Sequence, residues 1–156
     1  MHRILFVCHG NICRSTMAQF VMEDIVRKAR LGANFVIDSA ATSTEEIGEL
    51  PHPGTLKKLR EERISTHAHR ARQVKPEEYA DWDLFVYMDA QNKRGLERIF
   101  GSDPQKKFVR LLNFAPDDNP RHGADVADPW YTGNFDATYR DVVVGCRGLF
   151  SRLTGK

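Results

Sequence analysis

Cysteine is scarce in this chain: Cys8, Cys13 and Cys146 are the only three in 156 residues. An odd number without dense spacing excludes the disulfide framework of a small secreted domain and predicts reduced thiols in a cytoplasmic setting. Cys8 and Cys13 have no third and fourth partners at a zinc-binding spacing, so no metal is expected. Charge of one sign is also lacking: 23 Lys and Arg stand against 21 Asp and Glu, a formal net charge of +2. That balance gives no argument for nucleic acid. The basic residues, among them Arg27, Lys28, Arg30, Lys57, Lys58 and Arg60, are interspersed with acids as on solvated helix faces. No apolar run approaches the ~20 residues that cross a bilayer, and the apolar start is too short for a secretory leader. Repeats and long linkers are missing too, which predicts one domain over residues 1–156.

What remains alternates between two periodicities. Ile4-Leu5-Phe6-Val7 is a short apolar run suited to a strand buried on both faces. From Ser15 to about Arg30, Met17, Phe20, Val21 and Ile25 make the apolar side of a helix. Phe35-Val36-Ile37 gives a second strand, and strand–helix–strand in so short a span predicts a parallel pair. A polar loop then runs from Thr42 to Pro53, where a helix begins. Strands are expected at 83–88 and 108–112, with Asp89 capping the helix between them. Phe135, Tyr139, Val142, Cys146, Leu149 and Leu153 line one face of a last helix, which marks Cys146 as structural. The expectation is an α/β three-layer sandwich: a four-stranded parallel sheet with helices on both faces. Ligands of such sheets bind beyond the carboxyl ends of the strands.

At that end of the first strand lies Cys8-His9-Gly10-Asn11-Ile12-Cys13-Arg14-Ser15. A strand that turns into a helix through this segment converges backbone N–H groups on one point, and the helix N-terminus adds unsatisfied donors and partial positive charge. Gly10 supplies backbone freedom and Asn11 tolerates a left-handed turn. Arg14 brings a planar two-donor fork matched to phosphate oxygens. Such a field favours a thiolate, so Cys8 is the expected nucleophile, with Ser15 donating to its sulfur. The segment lacks the Gly-Lys-Ser/Thr ending of a nucleoside-triphosphate loop. Asp128, in a loop stiffened by Pro129, is the candidate proton donor; on its own it reads equally as the cap of a turn.

Cys8-x5-Arg14-Ser15 directly after Ile4-Leu5-Phe6-Val7 resembles the signature of the low-molecular-weight protein tyrosine phosphatases. The resemblance continues in Asp38-Ser39-Ala40, in Tyr87-Met88-Asp89 with Asn92, and in Asp128-Pro129-Trp130-Tyr131, covering essentially the whole chain. It implies hydrolysis of phosphotyrosine in proteins, or of small aryl phosphates, through a cysteinyl phosphate. Cys8 is then nucleophile, Arg14 clamp and Asp128 acid and base, and no cofactor is needed. It also implies that Asn11, Ser39 and His67 brace the loop, that Asp89 lies near the site, and that Trp130 and Tyr131 wall a ring-binding pocket. Cys13 would pair reversibly with Cys8 under oxidation. No membrane insertion is expected, and the state in solution is expected to be monomeric or weakly self-associating.

Several positions depart from the family's habit: His9 for an aliphatic residue, Thr16 for Pro, Gln19 for an acid, and Glu45 where the second pocket wall often carries an aromatic. Three alternatives share parts of the pattern. An arsenate reductase needs later cysteines to relay a disulfide, and only Cys146 follows. A protein-arginine phosphatase usually has a smaller polar residue at the position of Ile12. A non-catalytic phosphoprotein-binding module needs neither nucleophile nor acid.

Overall fold

The computed structural model describes residues 1–156. Four strands, β1 (His2–Cys8), β2 (Phe35–Ala41), β3 (Leu84–Tyr87) and β4 (Phe108–Arg110), form one sheet in the order β2-β1-β3-β4. Every pairing is parallel. The central strand β1 is covered on both faces, which is why it reads as an apolar run. Ile4, Phe6 and Cys8 point into one core with Met17, Phe20 and Val21 of α1 (Arg14–Lys28). Val142, Cys146 and Leu149 of α5 (Phe135–Thr154) complete that core. Leu5 and Val7 point the other way, towards Trp82, Phe85 and Leu96, the last from α3 (Ala90–Phe100). The three layers are therefore those expected. No helix is long and apolar enough to cross a membrane.

Boundaries differ where tertiary contacts override local pattern. β2 runs on past Ile37 to Ala41, because Asp38–Ala41 pair with Leu5–Cys8 and the hydroxyl of buried Ser39 finds partners there. β4 stops at Arg110, and Leu111–Phe114 coils into a 3₁₀ turn against α5. Gly145 makes that approach possible: a Cβ there would lie 2.5 Å from Leu111 Cγ. β3 is a residue shorter at each end than the expected 83–88 span. α1 stops at Lys28, closed by Arg30 N–H on Arg27 O (3.0 Å) and Leu31 N–H on Val26 O (2.9 Å), with Arg30 left-handed at φ 60°.

Two shorter helices complete the surroundings of the sheet's carboxyl edge. α2 (Pro53–Glu61) starts at the proline, and α4 (Pro129–Thr132) is a single turn closed by Gly133. β2 and β3 flank β1 on opposite sides, so the crevice of this sheet opens where β1 ends, at Cys8.

Candidate active site

The loop from Cys8 to Arg14 owes its shape to Asn11. This residue is fully buried and left-handed, with φ 60°. Its side chain uses its whole capacity: Nδ2 donates to Ser15 Oγ (2.8 Å) and Ser39 Oγ (2.9 Å). Oδ1 accepts from His69 Nε2 (2.9 Å) and from Arg72 N–H (3.3 Å). Each serine hydroxyl has one proton, and each already accepts from Asn11. Ser39 spends its proton on Gln19 Oε1 at 2.5 Å. Ser15 is left to donate to Cys8 Sγ at 3.0 Å. Asn11 N–H donates to the same sulfur at 3.3 Å. Cys8 Sγ therefore receives two donors from the loop around it.

Arg14 opens α1 and is 2% exposed. Its Nη1 donates to Asp89 Oδ2 (2.7 Å) and to the carbonyl of Val126 (2.8 Å). Nη2 reaches Asp128 Oδ2 at 3.5 Å, and Nε is buried with no acceptor. One edge of the guanidinium is thus pinned while the other keeps donors to give. Burial opposes its charge, but Cys8, Asp89 and Asp128 outweigh burial and hold the proton more tightly than in a free guanidinium. Asp89 does two jobs, since its other oxygen caps α3 at Asn92 N–H (2.9 Å).

Asp128 also joins both readings drawn from its sequence. Oδ1 caps α4 by accepting from Trp130 N–H at 3.1 Å, while Oδ2 faces Arg14. Cys8, Arg14 and Asp128 line one cleft. Ile12 and Cys13 border it, with His9, Gly10, Glu45, Glu46, Trp130 and Tyr131 also in its lining. Trp130 and Tyr131 are 56% and 82% exposed, so they stand at the mouth. His9 Nε2 meets Glu45 Oε2 at 2.9 Å in the same lining. The first turn of α1 contains no acid and no side chain caps it, leaving its positive end to the cleft.

A model of the low molecular weight phosphotyrosine protein phosphatase family matches residues 3–156. The chain belongs to that family. It is 39% identical over 153 residues to the low molecular weight protein-tyrosine-phosphatase YfkJ of Bacillus subtilis, covering 98% of this chain and 96% of that one. The Sus scrofa low molecular weight phosphotyrosine protein phosphatase is 34% identical over 152 residues, with 96% and 94% covered. The crystal structure of YfkJ superposes with a TM-score of 0.93 at 38% identity over 99% of this chain and 96% of that chain.

Within this family member, one expected brace is misplaced. His67 does not reach the loop: its Nε2 pairs with Glu23 at 2.9 Å and the ring lies edge-on to Phe20. His69 occupies the network instead. Glu23 lies one helical turn beyond Gln19, about 6 Å along α1, and two extended residues cover nearly the same length. His67 is therefore level with Glu23, and His69 with Gln19, Ser39 and Asn11. Burial lowers the pKa of His69, which suits a neutral ring donating from Nε2.

Arg72 carried no signal in the sequence, and Gln19 stood out there only as a departure from the family's habit. Gln19 and Arg72 face Ser39 and Asn11 from distant segments. Gly10 is not among the residues with positive φ. Its lack of a side chain matters because a Cβ there would sit 3.2 Å from Glu46 Cγ. Loop strain falls on Asn11, and Gly10 admits Glu46 to the cleft.

Proposed function

We propose that this phosphatase removes phosphate from phosphotyrosine in protein substrates through a cysteinyl-phosphate intermediate. The observation that carries the reading is the pinned Arg14 guanidinium, buried beside Cys8 with an unpartnered Nε. A fork held on one edge presents the other to two phosphate oxygens, and α1 adds its amide donors.

In the first step Cys8 Sγ attacks phosphorus in line. The bond to the ester oxygen breaks, and the carboxyl of Asp128 gives its proton to the departing phenolate. In the second, the Asp128 carboxylate takes a proton from water, whose oxygen attacks phosphorus. The sulfur–phosphorus bond breaks, inorganic phosphate leaves and the thiolate returns, relieved by the Ser15 and Asn11 donors. Arg14 and the loop amides stabilise the equatorial oxygens throughout. No step is assigned to a cofactor.

The exposed rings of Trp130 and Tyr131 rise above a buried thiol, a depth that suits a phenyl ester better than the shorter phosphoserine. Ile12 on the cleft wall leaves less room for a guanidinium, against arginine phosphatase activity. Cys146 is fully buried in the core with its thiol at Ala18 O of α1, which argues against a disulfide relay of the arsenate reductase kind. The reading extends to a reducing, cytoplasmic setting, supported by three unpaired cysteines.

Phosphate release from a phosphotyrosine peptide, compared with phosphoserine, phosphoarginine and arsenate, tests the assignment. Cys8→Ser is expected to bind the phosphotyrosine peptide without turnover. Release by Cys8→Ser near the parent rate would rule out the covalent route. A preference for phosphoarginine would reassign the substrate.

A further inference from the structure

His52 is no part of the cleft lining, yet it touches the segments that shape the cleft. Its backbone N–H donates to Ile12 O at 2.8 Å, anchoring it to the phosphate-binding loop. Its Nδ1 accepts from Gly54 N–H at 2.9 Å and caps α2, which leaves the ring proton on Nε2. The ring stacks on Phe135, the first residue of α5, at 5.2 Å and 26°. It also meets Trp130 edge-on at 5.7 Å and 85°.

The acid-bearing turn is tied to the core at its entry, where Val126 N–H donates to Met88 O (2.9 Å) and Thr138 Oγ1 to Ala127 O (3.3 Å), but less so beyond Asp128. α4 is four residues long, too short to persist without support, and ends at the left-handed Gly133. Pro129 is buried, but Trp130 and Tyr131 stand largely in solvent. Trp130 N–H is also the donor that orients Asp128 Oδ1. Ring and carboxyl thus hang on the same residue, and the ring leans on His52.

We propose that His52 is a positioning residue for proton transfer: by bracing Trp130 it sets the orientation of the Asp128 carboxyl towards the leaving oxygen. This rests on the reading of Asp128 as the acid. The imidazole itself touches neither sulfur nor substrate. Its contribution is to join the α2 cap, the start of α5 and the α4 turn into one wall.

The dependence of kcat/KM on leaving group provides the test, because a misaligned acid hurts esters whose leaving oxygen most needs a proton. His52→Asn keeps an oxygen acceptor for Gly54 N–H but removes the ring. It is expected to lose about tenfold in kcat/KM on phenyl phosphate and no more than about threefold on p-nitrophenyl phosphate, a fraction of what full acid catalysis contributes. His52→Phe keeps a ring but not the cap, and is expected to restore much of the phenyl phosphate rate. Acrylamide quenching reads Trp130 directly, since it is exposed while Trp82, the only other tryptophan, is buried. His52→Asn should increase that quenching. Equal losses on both esters with unchanged quenching would overturn the proposal. Asp128→Asn serves as the control: if it is no more sensitive to leaving group than the parent, the acid assignment fails. His52's hold on Trp130 is then judged by quenching alone, and unchanged quenching would refute it.

Discussion

His9 and Glu45 meet at the mouth of the cleft, Nε2 to Oε2 at 2.9 Å, and both depart from the aliphatic and aromatic residues expected there. The pair is built on a firm base, because Ser43 N–H (3.1 Å) and Ser43 Oγ (2.8 Å) both donate to His9 O. One wall of the cleft is therefore polar and carries Glu45's charge, two-thirds exposed. Acidic residues beside phosphotyrosine should be repelled and basic ones favoured, modestly and less so in salt. Glu45→Trp is expected to raise kcat/KM for phosphotyrosine peptides about two- to tenfold, mainly through KM, as ring stacking allows. It should also lessen discrimination against acidic flanks. Matched acidic and basic peptides at low and high salt check this, and identical selectivity in both proteins would remove Glu45 from recognition.

Asp89 serves Arg14 and α3 at once, and substitution separates the two roles. Asp89→Asn keeps a good cap for Asn92 N–H but loses the charge on Arg14, so it should unfold near the parent temperature while kcat/KM falls tenfold or more, about 1.5–3 kcal/mol for a charged hydrogen bond. Asp89→Ala should add a stability loss of about 1 kcal/mol from the missing cap. Arg14→Lys should be severely impaired without unfolding, since a point charge cannot copy the fork. Urea unfolding alongside kinetics distinguishes these outcomes.

Two histidines two residues apart should give stability opposite pH slopes. Burial opposes the charge on His67, but Glu23 and the Ala68 carbonyl outweigh it and raise its pKa above 6.5. Its stabilisation is complete below 6.5 and is lost as pH rises through the higher folded value. Burial lowers His69, so the unfolded chain takes up its proton first and stability falls as pH drops below 6.5. His67→Gln should flatten the alkaline side of the curve and His69→Gln the acidic side. Unfolding free energy measured across that range is the check.

We further propose that Cys13 protects an oxidised Cys8. Peroxide converts the Cys8 thiolate to sulfenic acid, and the Cys13 thiolate then attacks that sulfur, forming the disulfide and expelling hydroxide. Burial, with Cys8 and Asp128 adding to it, pushes the Cys13 thiol up to about 12. The closing step should therefore be slow at neutral pH and quicken about tenfold per pH unit as thiolate accumulates. Peptide mapping after mild peroxide, at neutral and alkaline pH, should find the Cys8–Cys13 link increasing with pH, with activity restored by thiol. Cys8 sulfinic acid accumulating without the link would count against protection.

The local part of this protein was legible in its sequence. β1, the Cys8–Ser15 loop and α1 are contiguous, so a buried strand, an Asn able to turn left-handed and an arginine opening a helix specify the loop and its arginine within fifteen residues. The face of α5 and the cap at Asp89 follow from periodicity and capping chemistry in the same way. What only the tertiary structure decided are contacts whose partners are far apart in the chain. Arg14 meets Asp89 across 75 residues and Asp128 across 114. The choice of His69 over His67, the reach of Gln19 to Ser39, and the brace of His52 on Trp130 depend on how extended segments lie against α1 and α4. A shift of two residues moves a side chain by about one helical turn, and local sequence preference hardly distinguishes the alternatives. Packing around β1 selects between them, because this register gives the buried side chains of Asn11, Ser15 and Ser39 their partners.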